Sequence, residues 1–308
     1  MKKKILFCFI LLCAVFLPYF VSSVIPLALD TIHQKKMYWQ ADLTVKQVKI
    51  GNDIFEYAEG GKGETVVLLH GFQSDKKAMI PFAKVLMHKF HVILPDLSGH
   101  GGSSQHLNQH YDIYSLAKDI DRLIAKLNIN NFHFVGTSTG GGVAVCCSLN
   151  NSYVVKSITL VNPLGVKPPI NSFFQDNLEK GRNMLFPSTL KEVDDLGYVL
   201  IGKPLSLSMY LKRYVLSVLL SQRDFFQKAF VELIDSKPLD SELKNVKLPV
   251  LIIGGKEDKV LHYTSYEVFH KNIKNSKCVI LENATHVLVG EAQDKANNLL
   301  LDFVLNNN

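Results

Sequence analysis

The chain has 308 residues, 47% of them hydrophobic and 20% charged, and its formal net charge is +6. This is a globular composition with enough apolar residues for a sizeable core, and the length allows one large or two small domains. The basic residues form no dense stripe, which argues against nucleic-acid binding, while mild attraction to an anionic membrane surface stays open. The five cysteines do not form the pattern of a disulfide framework.

Residues 1–29 predict either a signal peptide or an N-terminal membrane anchor. The basic start MKKK precedes an apolar run, and no charge occurs from Ile5 to Leu29. A basic start before an apolar core is typical of an export signal, with Val21-Ser22-Ser23 as a small-residue cleavage site. The uncharged segment is also long enough to span a bilayer. Both alternatives place the rest of the chain on the non-cytoplasmic side of the membrane.

Short apolar segments that alternate with helical patterns predict a mostly parallel sheet. We expect a short polar link after residue 30. TVKQVKI and DIFEYAEG, which follow it and are joined by Gly51-Asn52, are typical of a hairpin. The later segments are TVVLLHGF, HVILPD, NFHFVG, VKSITLVNP, LPVLIIGG and KCVILEN, and such continuous apolar runs suit strands buried on both faces. Helical periodicity separates them, as between Ile113 and Leu127. The alternation predicts an α/β fold with a doubly wound, mostly parallel sheet.

The alternation stops between residues 164 and 240. This range has no clear strand but contains segments of helical character, YVLSVLL and DFFQKAFVELI. We interpret it as a helical cap inserted between a first core part at 30–163 and a second core part at 241–308. Six phenylalanines of the cap are candidates either for lining a pocket or for the cap's own core; they are Phe173, Phe174, Phe186, Phe225, Phe226 and Phe230.

A serine between two glycines is the first candidate for chemistry. Gly136-Thr137-Ser138-Thr139-Gly140 matches G-x-S-x-G, which suits a sharp turn from a strand into a helix with the serine at its apex. By itself the match is a weak signal, because a small residue in a structural turn would give the same pattern. The surroundings of the motif therefore decide its interpretation.

An aspartate and a histidine follow two later strands of the predicted sheet. Asp258 follows LPVLIIGG, and His286 follows KCVILEN. A serine hydroxyl needs a neighbouring base that a carboxylate orients, and groups after the carboxyl ends of parallel strands collect at one edge of a sheet. The sequence thus predicts Ser138 as nucleophile, His286 as base and Asp258 as acid. Glu257 is the alternative acid, but the spacing from Gly255 favours Asp258.

The predicted mechanism also needs two backbone amides that stabilise an oxyanion. Thr139 supplies one in the first turn of a helix, where unpaired amides and the helix dipole favour an anion. Phe72, in the segment HGF, supplies the other. The remaining polar side chains near these loops receive structural interpretations. His70 and His100 bond to backbone, Asp96 ties down its own loop, His133 belongs to a strand, and Asn162 ends a strand but cannot supply a carboxylate.

Five segments resemble the α/β-hydrolase superfamily in order and spacing: LLHGF, PDLSGHGGSS, VGTSTGGG, GGKEDKVL and ENATHVL. The chain order Ser, Asp, His is that of this superfamily. The segments are most similar to the membrane-anchored monoacylglycerol lipases and cold-adapted bacterial lipases, and FPSTLKEVDDL in the cap is similar too. The resemblance implies ester hydrolysis without cofactor or metal, and a helical cap over an acyl pocket. Thr139 replaces the usual Met and Thr285 the usual Gly, and neither change removes a catalytic group.

The sequence therefore predicts a serine hydrolase that cleaves carboxylic esters of lipophilic substrates, monoacylglycerol or medium-chain acyl esters, through an acyl-enzyme. A carbon–carbon bond hydrolase, a peptidase or a perhydrolase would keep the same three residues. A non-catalytic binding protein would keep the fold as well, since fold alone does not choose among functions.

Overall fold

The structure is a computed structural model that describes residues 25–149 and 153–308. It begins with helix α1 (Ile25–Gln40). The sequence had suggested a short polar link after residue 30, but the helix continues through that position. Residues 1–24 of the predicted signal or anchor lie outside the described part of the chain. Within the described part, no helix has both the length and the hydropathy that a membrane crossing requires.

Eight strands form one sheet in the described residues. They are β1 (Thr44–Ile50), β2 (Asp53–Gly61), β3 (Glu64–Leu69), β4 (Phe90–Pro95), β5 (Asn131–Thr137), β6 (Val154–Val161), β7 (Val250–Gly255) and β8 (Ser276–Leu281). Their order in the sheet is β1-β2-β4-β3-β5-β6-β7-β8. The pairs β1–β2 and β2–β4 are antiparallel, and the other pairs are parallel. The predicted α/β fold with a mostly parallel sheet is confirmed.

Helices cover both faces of this sheet. Those that follow α1 are α2 (Ile80–Leu86), α3 (Ile113–Lys126), α4 (Thr139–Ser148), α5 (Phe173–Glu179), α6 (Leu190–Ile201), α7 (Met209–Ser221), α8 (Arg223–Ile234), α9 (Thr264–Asn272) and α10 (Glu291–Asn306). Alternate residues of β3 pack into opposite layers: Val67 and Leu69 join the apolar core with α3, α4 and α9, whereas Val66 and Leu68 join the core with α2 and α10. Burial on both faces explains the continuous apolar strands.

Four neighbouring parallel strands, β5 to β8, end at the same edge of the sheet. The residue or loop after each of them carries a polar side chain that the next subsection describes. Because these strands are fixed in register by their ladders and by buried side chains on both faces, the loops that follow them start from well-defined positions.

Helices α5 to α8 lie between β6 and β7 in the chain, within the predicted cap. Most of the six cap phenylalanines pack into a core: five are buried, and Phe173 is 44% exposed. Phe186 and Phe226 each form edge-to-face contacts, with Phe230 and Phe72 respectively. Helix α7 differs from its neighbours, since none of its 13 residues is buried although its sequence is rich in apolar residues.

Candidate active site

Ser138 lies at the junction between β5 and α4 in a strained backbone conformation. Its φ is 50° and its ψ is −119°, a region that residues with a Cβ seldom occupy. Backbone hydrogen bonds hold it there: its amide donates to Val161 O at 3.0 Å, and its carbonyl accepts from Gly141 N and Leu164 N, each at 2.9 Å, and from Gly142 N at 3.4 Å. The neighbouring strand, the first turn of α4 and the start of the cap segment thus fix the turn.

Close backbone packing explains why both outer positions of G-x-S-x-G are glycine. A Cβ on Gly136 would lie 2.3 Å from Gly140 O, and a Cβ on Gly140 would lie 2.3 Å from Leu69 O. Both distances are far below van der Waals contact with backbone atoms that cannot move aside. Only glycine lets the strand, the helix and the end of β3 approach this closely.

The structure brings Ser138, His286 and Asp258 together in a hydrogen-bonded chain. Ser138 Oγ lies 3.2 Å from His286 Nε2, and His286 Nδ1 lies 2.7 Å from Asp258 Oδ2. A carboxylate oxygen at Nδ1 favours the tautomer with the proton on Nδ1, which leaves Nε2 free to accept the serine proton. The alternative acid, Glu257, is exposed.

Asp258 is held by donors that the sequence did not reveal. Its Oδ1 accepts from the amides of Val260 at 2.7 Å and Leu261 at 2.9 Å, and the Tyr266 hydroxyl donates to Oδ2 at 2.5 Å. Burial, reinforced by the charge of Asp258, raises the pKa of Tyr266 well above its usual value, so the phenol remains a neutral donor. Gly254 leaves room for the tyrosine ring, since a Cβ there would lie 2.2 Å from it.

Asn162, the residue directly after β6, holds the histidine loop. Its Nδ2 donates to the carbonyls of Thr285 at 3.1 Å and His286 at 2.8 Å, and its Oδ1 accepts from Gly255 N at 2.7 Å. The residue is buried and its φ is 45°. In the sequence Asn162 is only a residue that cannot supply the acid; that it ties the loop of His286 to the end of β7 follows from these three hydrogen bonds.

The two amides predicted for the oxyanion hole flank the serine. Thr139 is the first residue of α4, directly after Ser138. Gly71 packs against the serine from the other side, since a Cβ there would lie 3.0 Å from Ser138 Cβ, and Phe72 follows it. Gly71, Phe72 and Ser138 line the same cavity. The assignment of these amides as oxyanion donors stays a prediction.

The cavity above Ser138 has a volume of about 520 Å³, within the range of small-molecule sites. Ser138 and His286 lie in its wall. The cap and the histidine loop supply a large part of its apolar lining: Leu185, Leu196, Leu200, Leu219, Val287, Leu288 and Val289. Val260 lines the cavity as well. None of the six cap phenylalanines contributes to this lining. The cap's leucines, rather than its aromatic residues, therefore face the candidate substrate space.

The remaining polar residues singled out in the sequence have structural partners. His100 Nδ1 lies 3.0 Å from Ser98 O, and His133 Nδ1 lies 2.7 Å from Ser157 Oγ on the next strand. Asp96 accepts from the amides of Lys76 and Gly102, each at 2.7 Å, so it does tie down its own loop. In the described ranges, no three His, Cys, Asp or Glu side chains are grouped so that they would hold a metal ion.

Residues 64–293 match the sequence profile of the family described as the alpha/beta hydrolase fold. The chain belongs to this family. It is 30% identical to monoacylglycerol lipase abhd6-B of Xenopus laevis, a match that covers 87% of this chain and 84% of the relative. It is 26% identical to lipase 1 of Psychrobacter immobilis, over 83% of this chain and 82% of that lipase.

A solved structure of a membrane phospholipase A, described as a bacterial virulence factor, superposes with a TM-score of 0.87. The two chains are 29% identical, and the match covers 99% of each. Together these relatives confirm the predicted resemblance to monoacylglycerol lipases and bacterial lipases. The chain is therefore a lipase- and esterase-like member of the α/β-hydrolases.

Buried His100 generates a prediction about stability. Burial and, to a smaller extent, electrostatic repulsion from His70 lower the pKa of His100 from 6.5 to about 3. In the unfolded chain the same side chain binds a proton near pH 6.5. Above pH 6.5 neither state binds this proton, so His100 does not make stability depend on pH. As the pH drops from 6.5 towards 3, the unfolded state binds the proton and the folded state does not, so the free energy of unfolding falls. Denaturant titrations at several pH values between 6.5 and 3 measure the slope of the free energy of unfolding against pH.

His100→Gln should make that slope shallower, because the side chain that takes up a proton on unfolding is gone. The control is His110→Gln, at a side chain that is 78% exposed, and we expect it to keep the slope of the unsubstituted protein. An unchanged slope in His100→Gln would contradict the assignment of this acid sensitivity to His100.

Proposed function

We propose that the protein is a serine hydrolase that cleaves carboxylic esters of lipophilic substrates, with monoacylglycerols or medium-chain acyl esters as the substrate class. The observation that carries this proposal is the hydrogen-bonded chain from Ser138 through His286 to Asp258, with its serine end in the wall of an apolar cavity. A structural turn alone would not need this arrangement of three side chains from three different loops.

In the proposed reaction, His286 Nε2 takes the proton of Ser138 as Oγ attacks the ester carbonyl carbon. Asp258 holds the ring through Nδ1 and stabilises its charged form, and the amides of Phe72 and Thr139 stabilise the oxyanion. The imidazolium then gives its proton to the leaving alcohol. Water, activated by the same histidine, cleaves the acyl-enzyme and releases the carboxylic acid.

The lining of the cavity supports an acyl chain as the group bound there. The leucines and valines of the cap and the histidine loop offer no hydrogen bonds but do remove apolar surface from water. Each buried CH₂ contributes about 0.8 kcal/mol. Lengthening an acyl chain by roughly four carbons therefore favours binding strongly, as long as the cavity has room for the added atoms.

The surface around the cavity supports delivery of the substrate from a membrane. Leu219 of α7 lines the cavity, and the same helix exposes several large apolar side chains: Met209, Tyr210, Leu211, Val218 and Leu220. Exposed apolar side chains of this size are typical of a surface that meets a lipid interface. We propose that residues 1–29 export the domain or anchor it on the non-cytoplasmic side of a membrane, where esters of low solubility concentrate.

Substitution of the two adjacent carboxylates tests the catalytic assignment. Asp258→Asn should keep the fold and lower kcat by about 10³- to 10⁴-fold, because an amide misorients the histidine tautomer. Glu257→Gln is the matched control, and its kcat should stay near that of the unsubstituted enzyme. Steady-state kinetics on one soluble ester measures both variants. A large loss in Glu257→Gln with a mild effect of Asp258→Asn would assign the acid to Glu257 instead.

A series of esters from acetyl to decanoyl tests the substrate class. We expect kcat/KM to rise from acetyl to the medium-chain esters because the apolar cavity binds the added methylenes. Leu219→Asp should flatten this rise, while Leu107→Asp, at an exposed leucine outside the cavity lining, should not change it. A flat or falling profile in the unsubstituted protein would refute the lipophilic pocket and favour a small-ester or carbon–carbon bond hydrolase.

A further inference from the structure

Two side chains bond to the same oxygen of Asp258. His286 Nδ1 lies 2.7 Å from Asp258 Oδ2, and the hydroxyl of Tyr266 lies 2.5 Å from that same atom. The other carboxylate oxygen, Oδ1, accepts from the amides of Val260 and Leu261. The imidazole of His286 is therefore one of four donors to this carboxylate in the described part of the chain, and it shares its acceptor atom with the phenol.

The fold holds the ring of Tyr266 in this position. Tyr266 lies in the first turn of α9 and is completely buried. Its ring fills the space beside Gly254 of β7, where a Cβ would lie 2.2 Å from the ring and 2.8 Å from Ile280 of β8. The hydroxyl also lies 3.3 Å from Leu261 O. Both of its neighbours are acceptors, so the hydroxyl donates, and the shorter contact assigns its proton to Asp258 Oδ2.

The shared oxygen has a chemical consequence for His286. A hydrogen bond to a carboxylate stabilises its charged form and draws electron density from the oxygen that accepts. The hydroxyl of Tyr266 therefore makes Oδ2 a weaker acceptor for the imidazole and reduces the stabilisation that Asp258 gives to the imidazolium. Rotation of the carboxyl group cannot offer His286 a free oxygen, because Oδ1 is already bonded to two amides.

We propose that Tyr266 is a positioning residue that acts through Asp258: by sharing Oδ2 with the imidazole, its hydroxyl limits how strongly Asp258 holds a proton on His286. The inference rests on the proposed function and deepens it. A histidine that holds its proton too strongly is protonated in the free enzyme and cannot accept the serine proton. Tyr266 thus extends towards lower pH the range in which His286 acts as a base.

The other charged side chains of the neighbouring elements are exposed or have partners of their own. The exposed ones are Asp176, Lys203, Glu257, Glu267, Glu282 and Glu291. The others are partnered: His262 bonds to Thr264, Lys77 in the cavity wall pairs with Asp75, Lys256 lies over the ring of Tyr263, and Lys259 lies over the ring of Tyr198. Burial and the charge of Asp258 raise the pKa of Tyr266 well above its usual value, so its hydroxyl keeps the proton that it donates.

Tyr266→Phe removes the hydroxyl and keeps the ring. Oδ2 then binds the imidazolium more strongly, so the acid limb of the kcat/KM profile of a soluble ester should move to higher pH by about 0.5 to 1 unit. On the alkaline plateau, kcat/KM should stay within a few fold of the unsubstituted enzyme. Tyr263→Phe is the matched control, because the hydroxyl that it removes is not a donor to Asp258. An unchanged limb in Tyr266→Phe, a shift to lower pH, or an equal shift in Tyr263→Phe would overturn the proposal.

Incorporation of 3-fluorotyrosine at position 266 should have the opposite effect. The fluorine makes the phenol more acidic and hence a stronger donor, so the acid limb should move to lower pH. Because this chain keeps every hydrogen bond of the native site, the measurement decides the matter even when Tyr266→Phe fails to fold. A hydroxyl with a merely structural role would leave the limb unchanged, and this result, like a shift to higher pH, would overturn the proposal.

Proton NMR of the resting full-length enzyme measures the same interaction without turnover. The proton between His286 Nδ1 and Asp258 Oδ2 should resonate at low field, and we expect it to move further downfield in Tyr266→Phe but not in Tyr263→Phe. A resonance that stays in place in Tyr266→Phe would overturn the proposal. A chain in which it moves as expected, but which neither hydrolyses esters nor reacts with a fluorophosphonate, would instead contradict the proposed function, so the two failures are distinguishable.

Discussion

Ser138 adopts a backbone conformation that costs of the order of 1–3 kcal/mol for a residue with a Cβ, and the elements around it are arranged to hold it there. β5 delivers the chain to the turn, and α4 carries it away. Val161, Gly141 and Leu164 bond to its amide and carbonyl. The strain has a structural consequence, because it separates the serine side chain from the regular strand and helix on both sides and leaves Oγ within reach of His286.

The parallel arrangement of β5 to β8 is what allows distant parts of the chain to meet at this turn. Ser138, Asn162, Asp258 and His286 each follow one of these four neighbouring strands. Asn162 is not part of the hydrogen-bonded chain, yet it connects the loop of His286 with the end of β7, the strand that precedes Asp258. The geometry of the three hydrogen-bonded side chains therefore depends on a fourth, which holds the loop of His286 in place.

Buried polar groups around the site are satisfied by specific partners, which suits a site that must keep its geometry. Asp258 accepts from two amides and from Tyr266 in addition to facing His286. On the other side of Ser138, the chain after β3 is hydrogen-bonded to the loop after β4: His70 accepts from the amide of Leu97, and the amide of Lys76 donates to Asp96. The amide of Val287 donates to Leu200 O at 2.9 Å, so the histidine loop is bonded to helix α6 as well.

Much of this architecture follows from sequence patterns that have a local physical cause. Continuous apolar runs predicted the buried strands, and the glycines around Ser138 predicted a turn that the backbone distances now explain. The roles of Tyr266 and Asn162 could not be predicted, because a tyrosine in a helix and an asparagine after a strand have no pattern that identifies a partner far away in the chain. The helical state of α1 beyond residue 30 was missed for a similar reason, since its buried Tyr38 packs against residues of α2 and the sheet.

Mass spectrometry of the chain, quenched during turnover of an activated ester, tests whether Ser138 is the group that becomes acylated. We expect the acyl mass on the peptide that contains Ser138, and we expect it to disappear as the ester is consumed. An acyl group on a different side chain would contradict this assignment. So would turnover without any covalent adduct, if none is found under rapid quenching or in His286 variants that slow deacylation.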